Sequence, residues 1–66
     1  MTEKQIEKIL NNEVNLEWLE NIYFYSNMED NFYIFQCVND DSYIKLKHED
    51  LINGRLHKYQ LSIVNE

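Results

Sequence analysis

The sequence predicts an α+β fold in which one N-terminal helix packs on a small antiparallel β-meander of four or five strands. Apolar residues near the N-terminus recur with helical spacing, whereas later ones fall in short segments rich in Tyr, Phe and Ile, which favour strands. Clusters of Asn and Asp separate these segments, in a chain of 66 residues that has one glycine and no proline. This length predicts a single domain over residues 1–66.

The helix is predicted over residues 3–11. Thr2 and Gln5 fit a capping box, in which each side chain bonds the backbone amide of the other residue. The apolar residues that follow lie at i, i+3 and i+4, on one face of the helix: Ile6, Ile9 and Leu10. We expect this face to cover one side of the sheet.

Residues 13–21 fit two interpretations. Val14, Leu16 and Trp18 alternate with polar residues, which favours an extended segment. Asn15 could instead cap a second short helix that carries Trp18. The alternation slightly favours the extended segment.

The rest of the chain predicts strands at residues 22–25, 32–38, 43–48 and 59–63. Polar turns are predicted at residues 27–31 and 39–42. Residues 49–53 fit one helical turn, which Gly54 would end in the left-handed conformation. Segment 32–38 is apolar on both faces except at Gln36, which is typical of an interior strand. The predicted core includes Phe24, Phe32, Ile34 and Phe35. This order also fits a small SH3-like or Sm-like barrel, an analogy of fold that carries no function.

Composition excludes several classes of protein. Twelve acidic and six basic side chains give a net charge of −6, which disfavours direct binding of nucleic acid. Cys37 is the one cysteine, so no internal disulfide can form, and a reducing cytoplasm of a bacterial host cell is expected. No apolar run exceeds four residues, so no membrane-spanning helix is expected. Abundant Asn and Ile with no Ala are typical of A+T-rich genomes, including those of bacteriophages.

No catalytic motif or metal-ligand spacing is present. Cys37 lies among apolar neighbours and is interpreted as a small buried hydrophobe. His48 and His57 have no spacing that matches a usual zinc site. We therefore expect no enzyme activity, no metal and no cofactor.

Charge is distributed unevenly along the chain. No basic residue lies between residues 9 and 44, a stretch with seven acidic ones. This stretch is either a solvated surface or a binding face aimed at a basic protein surface. Glu29 with Asp30, and Asp40 with Asp41, would lie at opposite ends of strand 32–38, about 24 Å apart. The predicted partner-binding residues are Glu17, Trp18, Glu20, Glu29, Asp30, Asp40 and Asp41.

These features favour a small acidic inhibitor, encoded by a phage or mobile element, that occupies a basic nucleic-acid-binding surface of a host protein. Anti-CRISPR proteins and inhibitors that mimic DNA share this general profile, although no motif here assigns a family. One alternative is an intracellular structural or regulatory module that acts as a homodimer or as a subunit of a complex. Another is an antitoxin-like or immunity-like partner of one basic toxin.

Overall fold

The computed structural model describes residues 1–65, and it begins with the predicted helix. Helix α1 spans Glu3–Leu10. The Gln5 amide donates to Thr2 Oγ1 at 3.1 Å, and the Thr2 amide donates to Gln5 Oε1 at 2.9 Å, which confirms the capping box. The helix ends one residue before the predicted boundary because Asn11, at φ −90° and ψ 3°, has left the helical conformation.

The strands of residues 1–65 form one larger and one smaller antiparallel sheet. They are β1 (Asn15–Trp18), β2 (Asn21–Glu29), β3 (Phe32–Cys37), β4 (Tyr43–Leu46), β5 (Arg55–Leu56), β6 (Tyr59–Gln60) and β7 (Ser62–Val64). The larger sheet has the order β4-β3-β2-β1-β7, and β5 pairs with β6 in the smaller one. Helix α2 (His48–Asn53) lies between β4 and β5. The predicted α+β fold with an antiparallel meander is confirmed.

Residues 13–21 adopt the extended alternative. Strand β1 occupies the centre of this segment and pairs with both β2 and β7. Its alternation places Val14 and Leu16 in the core, where they are 5% and 0% exposed. The strand ends in a two-residue turn, Leu19–Glu20, that leads directly into β2.

Strand β2 is longer than predicted, because the turn predicted at residues 27–31 contains only Asp30 and Asn31. These two residues have φ angles of 51° and 68°, which Asp and Asn tolerate better than most side chains. A two-residue hairpin therefore suffices, and residues 27–29 remain paired with β3. The pairing shifts register between Tyr25 and Asn27, as in a β-bulge.

The last predicted strand, at residues 59–63, divides into two. Strand β6 pairs with β5, whereas β7 pairs with β1 in the larger sheet. Leu61 lies between them, 3% exposed, and its amide donates to the Gly54 carbonyl at 2.8 Å. Gly54 itself ends α2 at φ 69° and ψ 31°, as predicted.

One face of the larger sheet forms the core with α1 and α2. Its strands contribute fully buried Leu16, Phe35 and Leu46, and Ile6 and Ile9 of α1 are 2% and 1% exposed. Cys37 is buried among these residues, as predicted.

The opposite face of this sheet is called the outer face here. Phe24 lies on it, paired with Gln36, because strand alternation directs Tyr23 to the core. The prediction that Phe24 belongs to the core is therefore wrong, and its side chain is 37% exposed. Ile34 also lies on the outer face, where it is buried outside the core cluster. Phe32 is half-buried, with the Lys47 ammonium 5.8 Å from its ring centroid.

Candidate functional site

Antiparallel pairing brings acidic residues from distant parts of the chain to one end of the larger sheet. Strand β2 begins beside the end of β1 and the end of β3, since Tyr23 pairs with both Leu16 and Cys37. The β1–β2 turn and the β3–β4 loop therefore lie at the same end. We define the acidic end as Glu17, Glu20, Asp40 and Asp41.

The β1–β2 turn holds two residues in a backbone conformation that their side chains disfavour. Leu19 and Glu20 have φ angles of 50° and 66°. Such a pair of positive φ angles is typical of a type I′ turn, for which Asn-Gly is the preferred sequence. A bulky residue at positive φ costs about 1–2 kcal/mol, and strain of this kind is concentrated at functional sites.

The β3–β4 loop is ordered by side-chain hydrogen bonds. Asp40 Oδ1 accepts from the Ser42 hydroxyl and from the Ser42 amide, the latter at 2.8 Å. Gln36 Nε2 donates to the carbonyl oxygens of Asp40 and Ser42 at 3.3 and 3.1 Å. Asp40 thus shapes the loop, and Asp41, which is exposed, is the loop carboxylate without such a bond within residues 1–65.

Hydrogen bonding keeps Asp40 ionised. The bond from the Ser42 hydroxyl, followed by the bond from the Ser42 amide, lowers the pKa of Asp40. Burial also raises the pKa of Tyr23, and the negative charge that Cys37 and Asp40 carry when ionised raises it further. The carboxylate of Asp40 is therefore charged at neutral pH, and the Tyr23 phenol is neutral.

Exposed apolar side chains lie at the same end of the sheet as these carboxylates. Leu19 and Val38 are each 46% exposed, and Tyr43 is 56% exposed. Leu19 belongs to the β1–β2 turn, Val38 follows β3, and Tyr43 begins β4, so all three lie at the end of the sheet that carries the acidic end. Sequence reasoning missed these residues as anchors. The signal available was the Leu-Glu pair between two strands, where Asn-Gly would be expected.

The carboxylates of the acidic end form no ion pair within the described part of the chain. Among residues 1–65, the sole ion pair joins His48 Nε2 to Glu3 Oε1 at 3.2 Å. Within the same residues, none of the seven acidic side chains between residues 9 and 44 forms an ion pair.

The other predicted partner-binding residues lie elsewhere. Glu29 and Asp30 are at the opposite end of β3, as the predicted strand between the two pairs requires. Trp18 is half-buried on the core side, and its indole N–H donates to the Leu56 carbonyl at 3.3 Å. Its ring also lies 6.4 Å from that of Tyr59, edge-on. Trp18 thus ties β1 to the smaller sheet.

A second cluster of polar side chains joins α1 to β3 and α2 at the surface. His48 Nδ1 and the Tyr33 hydroxyl are 3.1 Å apart, and His48 Nε2 contacts Glu3. Both His48 and Glu3 are exposed, and the cluster serves as a surface clamp between α1, β3 and α2. Residues 1–65 contain no group of three or more His, Cys, Asp or Glu side chains that could hold a metal ion.

Comparisons with protein-family models, with curated proteins and with solved structures found no match for this chain. No helix within residues 1–65 is long and apolar enough to cross a membrane.

Proposed function

We propose that this protein is a small acidic inhibitor that acts by binding, without catalysis, in the cytoplasm of a bacterial host cell. Its target would be a nucleic-acid-handling protein, whose basic nucleic-acid-binding surface it occupies. A phage or mobile element would encode it, in an anti-defence role of the anti-CRISPR or DNA-mimic kind. The observation that carries the proposal is the acidic end, whose carboxylates form no ion pair within residues 1–65 and share one end of the sheet with exposed apolar side chains.

In this mechanism, carboxylates take the place of phosphates. Glu20 and Asp41 extend from turns, so they can reach the Lys and Arg side chains of a basic groove. Carboxylates that form no ion pair within residues 1–65 suit this role, because binding a partner breaks no such pair. Electrostatic complementarity of this kind speeds association and selects the partner.

Apolar anchors add affinity that charge alone does not supply. Leu19, Val38 and Tyr43 can enter the partner surface between the charged contacts, and aromatic anchors are common among binding hot spots. The strained Leu19–Glu20 turn fits this role, since it presents one anchor and one carboxylate at the same point.

The test is an affinity capture from host lysate, identified by mass spectrometry, with charge-matched variants. The test variant carries Glu20→Lys and Asp41→Lys at the acidic end. The control carries Glu13→Lys and Glu29→Lys, away from it. Each variant replaces two acidic residues by lysine, which changes the net charge from −6 to −2. Asp40 is left intact because it orders its loop.

We expect the native protein and the control to capture the same nucleic-acid-binding protein, and the test variant to lose it. Nucleic acid should compete for that target, and binding should weaken as salt shortens the Debye length from ~30 Å at 0.01 M to ~3 Å at 1 M. Equal capture by both variants, or affinity that does not change with salt, would contradict the proposal.

A further inference from the structure

The outer face of the larger sheet carries opposite charges at the two ends of an apolar diagonal. Glu17 of β1 pairs in register with Ile22 of β2, and Lys45 of β4 pairs in register with Ile34 of β3. Phe24 lies between the two isoleucines, diagonal to Ile34 on the neighbouring strand. The diagonal therefore runs from an acid through three apolar side chains to a base.

We propose that this diagonal is an interface between two copies of this chain. The outer faces of the two copies face each other, related by a two-fold axis. This axis lies between the two sheets and runs perpendicular to the diagonal. The rotation therefore exchanges the two ends of the diagonal. Glu17 of each copy then faces Lys45 of the other, and the apolar centres meet. This is an isologous contact, in which one patch is complementary to itself.

Both charged residues are available for such a contact. Neither Glu17 nor Lys45 forms an ion pair within residues 1–65. Phe24, at the centre, is 37% exposed and Ile22 is half-buried, so these two supply the exposed apolar surface, since Ile34 is 8% exposed. Two copies would thus cover apolar surface that the monomer leaves in water, which stabilises the pair.

Charge favours a second copy over a basic or an acidic partner. The diagonal has no net charge, whereas the whole chain carries −6. Two copies can therefore approach through this face with paired charges, although they repel each other elsewhere. A purely basic partner would repel Lys45, and a purely acidic partner would repel Glu17.

The expected dimer is weak. Three strand spacings and an offset of four residues separate Glu17 from Lys45, a distance of about 20 Å. A patch of this length gives an interface of about 1,000 Å² in total, at the low end for specific contacts. The proposed dimer leaves Glu20 and Asp41 free, because they lie in turns at the end of the sheet.

The test is sedimentation equilibrium of the full chain from micromolar to millimolar concentration. We expect a reversible dimer in the native protein. Glu17→Lys or Lys45→Glu alone should raise the dimer Kd at least tenfold, because each places like charges together. The double variant should restore dimerisation, since every copy again supplies one acid and one base. Phe24→Ser should weaken the dimer without a charge change.

Controls separate the local contact from net charge. Glu13→Lys and Lys4→Glu carry the same charge changes at exposed sites away from the outer face, and should leave the dimer unchanged. Circular dichroism should show every variant folded. A native protein that stays monomeric at millimolar concentration would overturn the proposal, as would a double variant no better than the single ones. Capture of the inhibitor's target depends on Glu20 and Asp41, so that proposal stands or fails separately.

Discussion

Replacing Leu19-Glu20 by Asn-Gly should stabilise the protein and weaken target binding. The two residues have φ angles of 50° and 66° in a turn that joins β1 directly to β2. Asn-Gly is the sequence that best adopts this type I′ geometry. The substitution therefore relieves strain while it removes one exposed apolar anchor and one carboxylate of the acidic end.

The gain in free energy of unfolding is a balance of three terms. Relief at two positive-φ positions contributes about 1–2 kcal/mol each. The new glycine raises the conformational entropy of the unfolded chain, which reduces this stabilisation by ~0.4–1 kcal/mol. Leu19 is 46% exposed, so losing its buried half offsets about 1 kcal/mol. The net stabilisation is ~1 kcal/mol, or a rise in Tm of about 4–8 °C for a domain of this size.

Thermal and urea unfolding, followed by circular dichroism, measure this gain. The matched control is the other two-residue turn, where Asp30-Asn31 becomes Asn-Gly. Asp and Asn already tolerate positive φ, so we expect a change within ~0.5 kcal/mol there. A destabilised Leu19–Glu20 variant, or an equal gain in both turns, would refute the assignment of strain to this turn.

Three further predictions concern the core and the titrating groups. Phe35→Ala should destabilise the protein by ~3–5 kcal/mol in urea unfolding, and Phe24→Ala by about 1 kcal/mol. The difference is expected because Phe35 is 0% exposed and Phe24 is 37% exposed. Equal losses of stability would contradict the assignment of the two faces. Ser42→Ala should raise the pKa of Asp40, measured by NMR titration, because it removes the hydroxyl donor. With that donor present, ionised Asp40 stabilises the fold at pH values above its usual pKa of about 4. This stabilisation is lost as the pH falls through the lower pKa of the folded state. Burial raises the pKa of Tyr23, so the neutral phenol contributes fully to the free energy of unfolding below about pH 10. This contribution is lost as the pH rises through the higher pKa of the folded state. Tyr23→Phe should therefore make the free energy of unfolding depend less on pH in the alkaline range.

Local signals predict the elements of this fold better than their pairing. The capping box, the apolar helix face and Gly54 each act within a few residues, and all three occur where the sequence places them. The division of segment 59–63 depends on long-range contacts instead. Leu61 leaves the strand because its amide donates to the Gly54 carbonyl and its side chain packs in the core. The alternation of apolar and polar residues predicts neither of these contacts.

The face of a strand is equally hard to predict where both faces are apolar. Phe24 and Tyr23 are both good strand formers, and β2 must turn one of them inward. Hydrophobicity favours Phe24 for the core, yet Tyr23 occupies it at 4% exposure. Register with Leu16 and Cys37 decides the outcome, because a slip of one residue reverses both faces.

The candidate site illustrates the same limit in terms of charge. The linear sequence shows that residues 9–44 hold seven acids and no base, but not which acids are neighbours. Antiparallel pairing places Glu20 and Asp41, which is 21 positions later, at one end of the sheet and Glu29 at the other. An even spread of these charges would suit solubility alone. Instead, Glu17 of β1 and three acids of the adjoining turn and loop lie at the same end of the sheet as exposed Leu19, Val38 and Tyr43. The β1–β2 turn adopts its conformation against the preference of its residues. Strain of this kind is concentrated at functional sites, which is why we propose a binding role for this end of the sheet.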